Sequence, residues 1–174
     1  MKNFIQIKPE FLSGNVFDLI GRNWMLITAK HENHINAMTA SWGGLASLWN
    51  KNVAFFFIRP QRHTFSIVEN TKFITLCFLD TKNNKNAKNI LNFCGRTSGK
   101  DVDKVKETGM TVLEDENFTY FEESSLVLCC KKLYGQFLTA ESFCDKSIIL
   151  ENYKKQDFHK MFVGEMVKIL KSEV

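Results

Sequence analysis

Two stretches of this chain, VAFFFI at 53–58 and FITLCFL at 73–79, are apolar without interruption. Runs this short, rich in β-branched and aromatic residues, are expected of strands covered on both faces. Further strands are expected at 24–29, at 126–138 with an interruption at Gly135, at 147–153, and at 161–170, where Val163, Val167 and Ile169 share a face. The HENH segment at 31–34 reads as a turn after the first of them. Helical patterns are fewer. Residues 63–70 follow Pro60, a good place for a helix to begin. Residues 84–94 carry Ala87, Ile90, Leu91 and Cys94 at i, i+3, i+4 and i+7, one apolar stripe. Residues 101–108 follow the Ser98-Gly99 turn and stop at Gly109. Strands that are not regularly separated by helices favour a barrel or sandwich over a doubly wound sheet. With 174 residues, two prolines and no repeat or linker, the expectation is a single domain spanning 1–174, mainly β with a few helices.

Composition narrows the function. Sixteen phenylalanines against three tyrosines imply a core of large rings without polar handles. A net charge of +4 is too small to argue for nucleic acid. Between 81 and 100 there is no acid, while Lys82, Lys85, Lys88, Arg96 and Lys100 are basic. This segment reads either as a solvated helix face or as a positive rim that draws in anionic cofactors. No aromatics interleave with these lysines, so a stacking platform for single strands is not expected. The five cysteines form no CxxC pair, and their number is odd, which fits reduced thiols in a cytoplasm. Cys77, Cys129 and Cys130 lie in apolar runs as small hydrophobic side chains; Cys94, beside Gly95 and Arg96, is the thiol to test for reactivity. No stretch resembles a signal peptide or a membrane span, so no membrane association is expected.

Chemistry-bearing residues gather in three segments. NAMTASWGG at 36–44 reads as a turn of small residues beside a tryptophan. Thr39 and Ser41 offer hydroxyls, and Ala40, Gly43 and Gly44 let a ligand approach the backbone. The competing reading is a loop whose tryptophan plugs the core. RPQRHT at 59–64 places Arg59 and Arg62 around Pro60, with Thr64 opening a helix, so basic groups and a helix N-terminus can converge on a phosphate. Here the alternative is exposed loop charge. CGRTSGKD at 94–101 has the composition of another anion-accepting turn. Anion contacts at one end and a slot for a planar ring at the other suit a phosphorylated flavin. There is no GxGxxG or Walker loop, no GxSxG, and the His31/His34 spacing is not that of a helical zinc pair.

In this order and spacing, NAMTASWGG, the strand followed by RPQRHT, SGKDVDK at 98–104 and HKMFVGE at 159–165 resemble the flavin reductase-like family, with the flavoredoxin-like branch nearest. The resemblance covers about 19–170 and implies a six-stranded Greek-key split barrel that binds flavin mononucleotide (FMN), usually as a homodimer. It implies that Asn36, Met38, Thr39, Ala40, Ser41 and Trp42 line the isoalloxazine and ribityl chain. Arg59, Arg62 and Thr64 would hold the phosphate end, and Ser98, Gly99 and Lys100 would close over it. His159 would stand near the flavin or a nicotinamide. Electrons would come from NAD(P)H or a redox partner protein, and the protein need supply position and electrostatics but no nucleophile.

Overall fold

The computed structural model describes residues 2–173. The apolar runs are strands, and the reason they are unbroken is visible in the layers. β1 is Phe4–Ile7, followed by a 3-10 helical turn Pro9–Phe11 and a short π-helix Phe17–Arg22, then β2 Met25–His31 and β3 His34–Ala40. β4 Gly43–Leu48 and β5 Lys51–Ile58 form a hairpin, α1 His63–Asn70 leads into β6 Phe73–Leu79, and α2 Ala87–Arg96 and α3 Lys104–Thr108 follow. β7 Val112–Asp115 and β8 Phe118–Phe121 form a separate two-stranded ribbon. β9 Ser124–Phe137, α4 Ser147–Asn152 and β10 Lys160–Ser172 complete the chain.

The main sheet is eight-stranded and antiparallel throughout, in the order β3-β2-β6-β9-β10-β5-β4, with β1 also paired to β10. Its two edge strands, β3 and β4, are consecutive in the chain and joined only through Ser41 and Trp42. Seven strands' width cannot be spanned by two residues, so the sheet must curl until its edges meet at that corner. The result is a barrel split between β3 and β4.

Alternation sorts the side chains into two cores. Met25, Ile27, Ile74, Leu76, Phe78, Leu128, Phe56 and Phe162 fill the barrel. Leu26, Cys77, Val127 and Cys129, on the opposite faces of the same strands, pack outward against α2 and the β7–β8 ribbon. Hence β2 and β6 are apolar at most positions, as is β9 over residues 126–130. β10 is long because it changes partner: it pairs with β5 through Glu165 and with β1 from Ile169. A register shift against β9 between Met166 and Lys168 marks the changeover.

Several expectations are corrected. The sheet has eight strands plus a ribbon, not six strands. Residues 36–44 are not a turn: 36–40 complete β3 and 43–44 begin β4. Residues 147–153 are not a strand; Ser147–Asn152 is α4, started by the Asp145 carboxylate accepting the Ser147 N–H at 2.9 Å. That helix buries none of its residues, so no sheet face was available to hold the Ile148-Ile149 pair extended. α3 begins later than expected, at Lys104, because Asp103 caps it by accepting from the Val105 and Lys106 amides.

Candidate functional site

The end of β5, the start of α1 and the end of α2 meet around a cavity of about 470 Å³. Met38 of β3 forms one wall, Arg59, Gln61, Arg62, His63 and Thr64 a second, and Arg96, Thr97, Ser98, Gly99 and Lys104 the third. Arg59, Arg62, Arg96 and Lys104 thus face one space whose lining contains no carboxylate. A second cavity, about 500 Å³, shares His63, Gly99 and Lys104 with the first and adds Asn36 and Lys100.

Local bonds fix this geometry. Asn36 is 5 % exposed and donates Nδ2 to Thr64 Oγ1 at 2.8 Å, tying β3 to the first turn of α1. Gly99 lies against Asn36: a Cβ there would stand 2.3 Å from Oδ1. Only glycine permits that approach. The α2 C-terminus holds two of the cations. Arg62 donates Nη1 to the Gly95 carbonyl at 2.7 Å, and Lys104 donates Nζ to the Cys94 and Ala37 carbonyls at 2.9 Å each. Such a helix end, where carbonyls lack intrahelical partners and the dipole is negative, orients cations well. Burial, then Arg59, lowers the proton affinity of Arg62. Burial also lowers that of Lys104, which is 4 % exposed; the Cys94 thiol opposes this and Arg62 adds to it. His63 Nδ1 is buried with no hydrogen-bond partner among the described residues, and burial followed by Lys100, Lys104 and His34 disfavours its charged form.

Arg59 is committed differently. It donates to the Asp157 carboxylate and to the Asn152 carbonyl at 2.9 Å, and its guanidinium lies 5.5 Å from the Tyr153 ring centroid. Tyr153 Oη and His159 Nδ1 share a hydrogen bond at 2.9 Å, and the His159 ring meets Trp42 at 4.9 Å between centroids. An aromatic row, Trp42–His159–Tyr153, therefore runs from the barrel's split corner to Arg59 at the cavity. Trp42 is 44 % exposed, so it offers a ring face to solvent and does not plug the core. Burial and Arg59, with Asp157 opposing and Arg62 adding, bring the His159 imidazole down to about 4, so it is neutral near pH 7.

Of the residues singled out in the sequence, Met38, Arg59, Arg62, Thr64, Ser98 and Gly99 line the first cavity, while Asn36 and Lys100 line the second. Thr39, Ala40, Ser41 and Trp42 line neither; Thr39 Oγ1 is spent on the Leu91 carbonyl of α2. His159 reaches the site through Tyr153 and Arg59. His63 and Lys104 fall within the segments RPQRHT and SGKDVDK but were given no role of their own, since a histidine next to an arginine and a lysine in a charged helix both look like surface residues. Arg96 and Lys100 border the cavities, whereas Lys85 and Lys88 are solvent-exposed. Cys94 is not the accessible thiol: it is fully buried, burial pushes it up to about 11, and Cys144 is the exposed cysteine.

The chain is thus an antiparallel barrel split at one corner, with a cationic cavity beside it. The Flavin reductase like domain family matches residues 17–173, and the chain belongs to that family. Solved structures show the same fold at low identity. An FMN-binding domain of a flavin reductases-like enzyme from Shewanella baltica superposes with a TM-score of 0.68 at 14 % identity, over 98 % of this chain and 78 % of that one. An FMN-binding protein from Thermus thermophilus gives 0.66 at 16 %, over 96 % and 81 %. A flavoredoxin of Desulfovibrio vulgaris (Miyazaki F) gives 0.64 at 15 %, over 96 % and 77 %. No curated protein matches the sequence. No helix among the described residues is long and apolar enough to cross a membrane.

Proposed function

We propose that this chain binds FMN and passes electrons through it from a nicotinamide or a protein donor to an acceptor. One observation carries the reading: Arg62, Arg96, Lys104 and the start of α1 converge on a cavity lined without a carboxylate, in a chain of the flavin reductase-like family. A phosphate monoester suits that donor set. Guanidinium and ammonium groups supply charge-assisted bonds, and the hydroxyls of Thr97 and Ser98 and the α1 amides add neutral donors. The buried, unpartnered His63 Nδ1 is consistent with a ligand against this wall.

In this reading Arg62, Thr64, Ser98, Gly99 and Lys100 hold the phosphate end, with Arg59 fixing the wall behind it. Asn36, Met38, Thr39, Ala40, Ser41 and Trp42 form the edge along which the ring system lies, largely through main-chain atoms of β3 and the split corner. Bound FMN supplies hydride acceptance and the release of electrons singly or in pairs. His159, neutral and oriented by Tyr153, packs the ring side of the site and carries no charge that would compete with the substrate. A second copy of the chain shields the open side, which makes the protein a homodimer; Trp42, Trp49 and Leu150 are among the exposed apolar groups available for such contacts. A single domain across 1–174 and a reducing, cytoplasmic setting for its free cysteines complete the proposal.

Turnover separates the roles. Steady oxidation of NADH or NADPH with free flavin or ferricyanide marks an oxidoreductase. Tight FMN reduced only by a ferredoxin-like donor marks an electron carrier, and bound FMN reduced by neither marks a storage or sensing module. Arg62→Ala tests the site itself. The loss of a charge-assisted partner worth about 1.5–3 kcal/mol lowers FMN affinity about tenfold or more, and unchanged affinity would remove Arg62 from the site.

A further inference from the structure

Helix α2 carries two opposed stripes. Ala87, Ile90, Leu91 and Cys94 are buried in the outer core. Lys85, in the turn that leads into the helix, Lys88, Asn92 and Arg96 fall at i, i+3, i+7 and i+11 on the other side, and all four are exposed. Lys100, just past the helix, is exposed as well. Between 81 and 100 the chain has no acid. Among the described residues, none of Lys85, Lys88, Arg96 and Lys100 pairs with a carboxylate, whereas Lys30, Lys51, Arg59, Lys160 and Lys168 each do. Acids stand only at the two ends of this basic face: Asp80, Glu122 and Glu123 around Asn83 and Asn84, and Asp101 and Asp103 after Lys100. The exposed residues of 85–96 are all lysine, asparagine or arginine.

A helix face of one sign, with no counter-charge of its own, is a field that attracts a partner of the other sign. Lys88 and Arg96 are about 12 Å apart along the axis, and the stripe ends at the site. Arg96 lines the first cavity and Lys100 the second, while Lys85 and Lys88 line neither and lie on the outer surface. The face offers no exposed ring on which bases could stack and no exposed apolar side chain to enter a lipid surface. Cations among short amides suit the small, charge-steered contacts of transient electron-transfer pairs. We infer that the outer face of α2 docks an acidic one-electron carrier protein at the mouth of the flavin site, with Lys85 and Lys88 as its charge contacts. The inference rests on the FMN reading above and names the partner and its landing surface. A carrier with a [2Fe–2S] cluster gives one electron per encounter. Two encounters, with two protons from solvent, therefore reduce one FMN to FMNH2 and oxidise two clusters.

The probe is an acidic [2Fe–2S] ferredoxin, with basic cytochrome c as the charge-inverted control. Binding to the FMN-loaded wild type is measured by calorimetry at low and raised ionic strength, and the footprint by amide shifts of the ¹⁵N-labelled protein. The ferredoxin is expected to bind, to weaken as salt is added, and to move amides of α2 that cytochrome c leaves in place. The double variant Lys85→Glu/Lys88→Glu is expected to lose about tenfold or more in ferredoxin affinity, and Lys85→Gln/Lys88→Gln about threefold, while FMN affinity stays within about twofold in both. Should the glutamate variant not fold, the glutamine variant and the wild-type footprint decide. No ferredoxin binding at low ionic strength, an affinity unchanged by the substitutions, or a footprint away from α2 would overturn the inference while leaving the flavin reading intact. So would NADPH moving the amides of residues 85–92, or tighter binding of duplex DNA or phosphatidylserine vesicles than of the ferredoxin. A folded wild type that takes up no FMN overturns both.

Discussion

Replacing Gly99 with alanine tests whether Gly99 and Asn36 press on one another at the wall shared by the two cavities. The added Cβ would stand 2.3 Å from Asn36 Oδ1, 2.8 Å from Cγ and 2.9 Å from Nδ2. No real contact is that short, so Asn36 must turn away. It has nowhere easy to go, being 5 % exposed and bonded to Thr64 Oγ1 at 2.8 Å, with Thr64 itself 1 % exposed. Leaving a buried polar pair unmade costs about 1–3 kcal/mol, and forcing the side chain off its rotamer adds about 1 kcal/mol. The reduced freedom of the unfolded chain returns about 0.4–1 kcal/mol. The net loss is about 2 kcal/mol, or a fall in Tm of about 4–8 °C for a domain of this size. Denaturant unfolding of wild type, Gly99→Ala, Asn36→Ala and the double variant completes the cycle. With Asn36 truncated the obstruction is gone, so Gly99→Ala becomes nearly neutral and the coupling is about 2 kcal/mol. Effects that add to within about 0.5 kcal/mol would show that Asn36 and Gly99 do not press on one another.

The charge states give two further outcomes. His159 sits at about 4 when folded and at about 6.5 when unfolded, so folding favours the neutral ring. Its contribution is complete above pH ~6.5 and is lost as pH falls towards ~4; the His159→Asn variant flattens that part of the stability–pH profile, and an imidazole titrating near the unfolded value by NMR would contradict the burial described. Among the thiols, Cys144 alone is exposed while Cys77, Cys94, Cys129 and Cys130 are buried. Native protein therefore reacts rapidly at Cys144 and at the others only on unfolding, whereas rapid labelling of Cys94 would place the α2 end in solvent.

The barrel was legible where both faces of a strand are covered. Residues 53–58 and 73–79 carry so many β-branched and aromatic side chains that no other assignment competes, and the stripe of α2 was equally clear, all four of its residues being buried. β3 and β4 were hidden because their residues are small: Ala37, Thr39, Ala40, Gly43 and Gly44 read as turn chemistry. What makes them strands is pairing, with β2 and β5 respectively, which no local signal records. The run at 147–153 failed for the opposite reason, since Ile148, Ile149 and Leu150 look like a strand until it is known that none of them is buried. For the site, the arginines and the 98–100 turn stood out as loop residues. Lys104 ended the segment SGKDVDK without a role, because a lysine in KVKET looks solvated and its burial depends on β3 and α2 approaching from elsewhere in the chain.

The central claim is met most directly by titrating ligand-free protein with FMN and following flavin fluorescence and absorbance. Saturable uptake, accompanied by quenching and weaker for riboflavin than for FMN, is the predicted result. A folded protein that leaves FMN free in solution at saturating concentration would contradict it.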